Sequence, residues 1–162
     1  MNVVHEETQR FNLFIIMLIA FTAVVIGAYF ISSWHQHDSM KISGSSAYVL
    51  AALLVFDLFF IANFFQLKTV VSDQQLIFGF GIMKKKINLT SIEIVRVEDY
   101  VFHKYMGYGI RVSRDRTIGY IASSGQGVFI KTPTKNYFIT SSGAERLKSM
   151  IESAKHKSAA AG

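Results

Sequence analysis

The chain has 162 residues, 51% of them hydrophobic, and carries 17 Lys and Arg against 11 Asp and Glu, for a formal net charge of +6. It contains no cysteine, which excludes disulfides and thiolate metal sites. Since part of this short chain is strongly apolar, there is room for only one small folded domain outside the apolar segments.

The first apolar segment follows a short polar stretch. Residues 1–12 lack the basic region and the small-residue cleavage site of a signal peptide, so we expect a retained cytoplasmic tail. Residues 13–34 carry no charged side chain and close with Tyr29 and Trp34, residue types that concentrate at membrane interfaces. This segment predicts a first transmembrane helix.

The second apolar segment, residues 47–67, contains one ionisable side chain, Asp57. As a helix it would cover about 30 Å, the thickness of a bilayer's hydrocarbon core. Residues 35–46 between the two segments are short and polar, which predicts an extracytoplasmic loop and an antiparallel helical hairpin.

Basic residues predict the orientation of this hairpin. Arg10, Lys68 and the run Lys84-Lys85-Lys86 flank the apolar segments on one side, whereas Lys41 lies in the opposite loop. The positive-inside rule then places both termini in the cytoplasm of a multi-pass protein of the cell (inner) membrane.

Small and polar residues fall at matching depths when the hairpin is folded about its loop. Ala23 and Gly27 come near Ala51, which would let the two backbones approach closely. Asp57 comes beside Thr22 and could bond it or a helix of another subunit. An intramembrane carboxylate is also a candidate functional site, which leaves open a transport or enzyme component built around Asp57.

After the second segment the apolar periodicity changes from helical to two, which indicates strands. Short strand-like runs separated by turn residues continue to residue 140. The stripe of Leu147, Met150, Ile151 and Ala154, preceded by a capping-box pattern at residues 142–145, predicts a C-terminal amphipathic helix.

The predicted fold class is therefore a membrane α-helical hairpin plus a mostly-β (α+β) soluble domain. The soluble domain, residues 68–154, is expected to be a small barrel or sandwich of seven or eight antiparallel strands capped by the C-terminal helix. Residues 155–162 have the composition of a flexible tail.

The segments from residue 67 to residue 153 follow one another in a recognisable order. The order is a Gly79-Phe-Gly81 turn, a Lys-rich strand, a Leu89-Thr-Ser-Ile92 bend, and then the strands Gly127-Val-Phe-Ile-Lys and Tyr137-Phe-Ile-Thr. This order resembles that of the bacterial pleckstrin-homology-like domains that follow one or two membrane helices. The resemblance implies a PH-like fold, a membrane tether and a tendency to assemble, and it implies no reaction.

Basic residues near the predicted tether form one candidate site. The chain beyond Leu67 holds 15 Lys and Arg against 7 Asp and Glu. Lys68, Lys84, Lys85 and Lys86 are expected to rest on anionic lipid headgroups. The alternative is a solvated basic edge that blocks pairing between sheets.

The segment Tyr-Val-Phe-His-Lys-Tyr-Met-Gly-Tyr-Gly at residues 100–109 forms a second candidate site, since aromatic residues and Met are enriched in protein interfaces. Insertion into a membrane interface, internal packing and, with the nearby arginines, nucleic-acid binding are the alternatives. The predicted partner-docking residues are Tyr100, Phe102, Tyr105, Met106, Tyr108 and Arg111.

No motif for catalysis, phosphate binding or a cofactor is present in the sequence. His35, His37 and Asp38 lack a further well-spaced ligand, so no metal site is predicted. The sequence therefore favours a non-enzymatic, membrane-anchored scaffold or accessory subunit of a membrane protein assembly, with protein partners or further copies of itself. A membrane-surface module that binds anionic lipid is the alternative.

Overall fold

The computed structural model of the chain describes residues 3–10, 13–35 and 44–160. Its helices are α1 (Leu13–His35), α2 (Gly44–Phe64), α3 (Phe102–Tyr105) and α4 (Ala144–Ala160), with a 3-10 turn at Leu89–Ser91. Its strands are β1 (Val3–Arg10), β2 (Gln66–Ser72), β3 (Gln75–Phe80), β4 (Met83–Asn88), β5 (Ile94–Asp99), β6 (Gly109–Val112), β7 (Thr117–Ile121), β8 (Gln126–Lys131) and β9 (Asn136–Thr140).

The strands form two sheets. Sheet A has the order β1-β2-β3-β4 and sheet B the order β5-β8-β9-β7-β6. All pairs are antiparallel except β7 and β9, which run parallel. The expectation of antiparallel strands alone is thus wrong at this pair, because the β8–β9 hairpin inserts β9 beside β7 in the same direction.

The core lies where the two sheets face each other. Leu76, Phe78 and Phe80 alternate along β3 and are fully buried, as expected when every second side chain points inward. The Phe78 ring packs edge-on against Tyr120 of sheet B at 4.8 Å and against Tyr137 at 5.5 Å. These aromatic contacts join the two sheets.

The predicted C-terminal helix is confirmed. Leu147 and Ile151 of α4 are fully buried and Ala154 is nearly so, whereas Met150 is half-buried. Burying this stripe removes apolar surface from water and provides most of the stability of such a helix. The helix continues to Ala160, through most of the segment expected to be a flexible tail.

Residues 3–10, expected to belong to a polar tail, instead form the strand β1 at the edge of sheet A. Glu7 Oε2 accepts a hydrogen bond of 2.7 Å from Ser141 Oγ, and Glu7 Oε1 accepts bonds of 2.9 Å from the backbone N–H and from the Oγ of Ser142. The Ser142 hydroxyl therefore bonds Glu7 rather than completing a local capping box. A polar side chain from a distant strand holds the chain at the start of α4.

The predicted membrane hairpin is contradicted. Within residues 13–35 and 44–160, no helix combines the length and the apolar character that crossing a membrane requires. In α2, Gly44-Ser-Ser begins the helix, and Asp57 and Asn63 interrupt the apolar sequence. The prediction of a multi-pass protein of the cell membrane, with transmembrane helices at residues 13–34 and 47–67, is therefore wrong.

Candidate protein-docking surface

The connection between β5 and β6 folds into a compact unit over the outer face of sheet B. It contains the single helical turn α3, which Met106 ends in the left-handed conformation, with φ 56° and ψ 42°. The Met106 N–H donates to the Phe102 carbonyl at 2.6 Å, and the Tyr100 N–H donates to the Gly125 carbonyl at 2.7 Å. These bonds fix both ends of the turn.

A row of stacked rings supports this unit. Tyr105 is buried and stacks on Phe138 of β9 with 5.2 Å between ring centroids. Tyr100 stacks 6.0 Å from Tyr105, and Tyr108 stacks 5.8 Å from Tyr100. Gly119 makes room for this row, because a Cβ there would lie 2.9 Å from Tyr105 Cδ1.

Polar groups hold the rings in place. Tyr100 donates its hydroxyl hydrogen to the Gly107 carbonyl at 2.9 Å, and Arg111 Nε donates to the Tyr108 carbonyl at 2.8 Å. Burial raises the pKa of Tyr100 and raises that of Tyr105 further, so both phenols are neutral near neutral pH. Among the residues that the structure describes, the buried Tyr105 hydroxyl finds no hydrogen-bond partner.

Lys104 and Asp115 form an ion pair beside the stack. Their Nζ and Oδ2 atoms are 3.1 Å apart, and Lys104 Nζ lies 5.5 Å from the Tyr105 ring centroid. The Ser113 hydroxyl donates to Asp115, and this bond, together with those from Lys104 and Thr117, lowers the pKa of Asp115 to about 2. Lys104 is therefore engaged in holding the unit together.

The outer side of the unit is apolar and exposed. Val101 is 49% exposed, Phe102 57% and Met106 74%. We call these three residues the docking surface. Large apolar side chains grouped at the surface are typical of protein contact sites when a rigid base supports them.

The six residues predicted to dock a partner are thus divided by the fold. Phe102 and Met106 are exposed, Tyr105 is buried, and Tyr100 and Tyr108 are half-buried in the stack. Arg111 is exposed but donates to the backbone. Val101 lies within the predicted segment 100–109 but is not among the six predicted docking residues.

The predicted basic site is also divided. Lys68 on β2 pairs with Glu6 of β1, with 2.6 Å between Nζ and Oε1. Lys84, Lys85 and Lys86 lie on β4, an edge of sheet A, and are exposed. They form no ion pair within the part of the chain that the structure describes.

The residues predicted to pair the two helices lie on α1 and α2, which contact each other. Among the described residues, no atom lies within 4 Å of a Cβ placed on Gly27. Ala23 is half-buried, whereas Thr22 and Ala51 are exposed. The buried Asp57 Oδ2 accepts no hydrogen bond from the described residues.

No cluster of metal-ligating side chains occurs in the described part of the chain. His37 and Asp38 lie outside the described residues. Comparisons with protein-family models, with curated proteins and with solved structures found no match to this chain.

Proposed function

We propose that this chain is a non-enzymatic scaffold or accessory subunit that binds a protein partner through the docking surface. The observation that carries the proposal is the exposure of Phe102 and Met106 on a turn whose other side packs in a second buried cluster, on the outer face of sheet B. A small number of residues usually supplies most of the affinity of an interface, and large apolar side chains are common among them.

Preorganisation of the turn supports this proposal. The stacked tyrosines and the bond from Tyr100 to Gly107 fix the backbone that carries Phe102 and Met106. A surface that is already ordered loses little conformational entropy on binding, so more of the contact energy appears as affinity.

Basic residues that follow the docking surface along the chain indicate the kind of partner. Arg111, Arg114 and Arg116 are exposed on β6 and on the loop that follows it. Exposed cationic groups in the same part of the domain as an apolar surface favour a partner with an apolar segment bordered by acidic residues, because complementary charges speed association and disfavour other partners.

The helix pair provides a second contact surface. Phe21 of α1 is 67% exposed and Val55 of α2 65% exposed, among many large apolar side chains on these two helices. Such extensive apolar exposure is typical of surfaces that another molecule covers. Two contacts on one chain raise each other's effective concentration, which suits an accessory subunit.

The resemblance to bacterial pleckstrin-homology-like domains belongs to this proposal. Assembly with other proteins is what that resemblance implies, and two sheets with a C-terminal helix are compatible with it. We assign no reaction to the chain.

The first experiment identifies the partner and then tests the surface. A photo-crosslinking amino acid at position 102 of the full chain should capture one protein in the native cell, and one at the more exposed position 82 should not. With the captured protein purified, Phe102→Ser combined with Met106→Ser should weaken binding at least about tenfold.

The matched control is Ile82→Ser, because Ile82 is 76% exposed in the turn between β3 and β4. It should leave the affinity unchanged. Equal affinity of the double variant and the wild type, with both folded by circular dichroism, would show that the docking surface does not bind this protein.

A further inference from the structure

A cavity opens between the two sheets on a side of the domain that shares no residue with the docking surface. Its volume is about 300 Å³. It is bounded by the end of β4, the 3-10 turn, the turn between β8 and β9, and Tyr137. A cavity of this size is at the lower end of the range for small-molecule sites.

The charge of the cavity is entirely positive. Lys85 and Lys86 contribute to its lining, which contains no Asp or Glu. The nearby acid Glu93 is paired with Lys131, with 3.5 Å between Nζ and Oε2. Within the described part of the chain, nothing neutralises Lys85 or Lys86, so the cavity attracts an anion.

Strand register places Lys85 at the mouth of the gap between the sheets. Lys85 is paired with Phe78 on the neighbouring strand. Its side chain points to the same face of the sheet as that of Ile87, which is 6% exposed. The Phe78 ring in turn contacts the Tyr137 ring of sheet B at 5.5 Å. Lys85 and Tyr137 therefore approach the cavity from opposite sheets.

Tyr137 brings a phenol to the cavity from the sheet opposite Lys85. It is 3% exposed and lines the cavity. A phenol hydroxyl can donate a hydrogen bond to an anion that occupies the cavity. Burial raises the pKa of Tyr137, which keeps the phenol protonated as a donor.

The other polar groups of the lining leave donors free. Asn88 Oδ1 accepts from Gln75 Nε2 at 3.4 Å, so its amide hydrogens remain available. Thr132 bonds Lys135 through its hydroxyl, and Ser91 donates to the Asn88 carbonyl at 2.7 Å. The available groups are mainly donors: the Lys85 ammonium group, an amide, the Thr134 hydroxyl and the phenol.

We propose that this cavity binds a phosphate group carried by a small ester or by a lipid headgroup, held between Lys85 on one sheet and Tyr137 on the other. Phosphate offers several acceptor oxygens and negative charge in a compact shape, which matches a set of converging donors without a carboxylate. This site is independent of the docking surface, and its failure would leave the proposed function untouched.

The test uses the ¹⁵N-labelled full chain titrated with inorganic phosphate and with glycerol 3-phosphate. The amide signals of Asn88, Ser91 and Thr134 should shift and saturate. Lys85→Met and Tyr137→Phe should each weaken binding about tenfold, since each removes a donor to a charged oxygen. The proposal would be overturned if neither compound gave saturable shifts and if phosphate did not compete with vesicles for the protein.

Lys84→Met is the matched control, because it removes the same charge from the same strand at a position outside the cavity lining. It should change the affinity little. A loss equal to that of Lys85→Met would show attraction to a basic edge and would overturn the site.

Vesicles containing phosphatidic acid distinguish the two sources of the phosphate. Vesicle binding that phosphate competes for and that Lys85→Met abolishes assigns the site to a headgroup. Binding of glycerol 3-phosphate without vesicle binding assigns it to a soluble ester. The proposal would be overturned if neither Lys85→Met nor Tyr137→Phe changed vesicle binding and neither soluble phosphate compound bound.

Discussion

Asp115 shows how one exposed residue can organise a loop. Its carboxylate accepts hydrogen bonds from the Ser113 hydroxyl and, at 3.3 Å, from the Thr117 N–H, and it pairs with Lys104. The following residue, Arg116, is held in the left-handed conformation with φ 60°. The loop between β6 and β7 is thereby fixed against the stack that supports the docking surface.

Acid should loosen this loop. The pKa of Asp115 is lowered from 3.8 to about 2, so its ionised form stabilises the folded state. This contribution is complete above the unfolded pKa and is lost as the pH falls from about 4 towards 2. A carboxyl ¹³C titration of Asp115 should show a midpoint near 2, and a midpoint near 4 would contradict the bonds described.

Asp115→Asn provides the control for acid stability. The variant lacks the titrating group, so its stability should change less than that of the wild type between pH 4 and pH 2. Urea unfolding at the two pH values measures the difference.

At the scale of elements, β1 and α4 depend on each other although they lie at opposite ends of the chain. The Glu7 carboxylate accepts three hydrogen bonds from Ser141 and Ser142, and Gln9 bonds both Ser123 and Thr140 at 2.8 Å. A carboxylate close to the start of a helix is also stabilised by the helix dipole. The inward face of β1 thus joins sheet A to sheet B.

Glu7→Ala should lower the free energy of unfolding by about 2 kcal/mol, because it leaves donors near the start of α4 without their charged acceptor. Glu6→Ala is the control on the neighbouring residue. Within the described residues, the interaction of Glu6 is an exposed ion pair with Lys68, so its loss should cost at most about 0.5 kcal/mol. Denaturant unfolding of both variants measures the two losses in the free energy of unfolding. Equal losses would contradict the assigned role of Glu7.

At the scale of the whole molecule, the helix pair is inserted into a β-hairpin. β1 ends directly before α1 and β2 begins directly after α2, and Arg10 is paired with Gln66 in the ladder. The sheet domain therefore includes residues on both sides of the helices. A chain cut at residue 66 would lose β1 and expose the backbone edge of β2.

Replacing residues 11–65 by Asn-Gly should preserve the sheet domain, because this dipeptide forms the two-residue turn that antiparallel partners favour. The shortened protein should unfold cooperatively and show dispersed amide signals. Residues 66–162 alone should be less stable and prone to association. Equal stability of the two proteins would contradict a structural role for β1.

Sequence periodicity determined the elements whose side chains have one buried face. The alternation along β3 and the stripe of Leu147, Ile151 and Ala154 on α4 predict their own burial, because each depends only on local spacing. The aromatic segment at residues 100–109 was likewise recognised by composition. Its division into Tyr105 inside and Phe102 outside was not, since a single helical turn has no repeating pattern.

What the tertiary structure alone decided involves residues distant in sequence. The sequence predicts a tail where β1 forms, because the partner strand β2 lies beyond two helices. Glu7 replaces the local cap that the sequence predicts for α4. The apolar segments predicted membrane spans, which the described helices contradict. The cavity between Lys85 and Tyr137 forms only when the sheets meet, because pairing and packing across the chain, unlike periodicity, leave no local signal in the sequence.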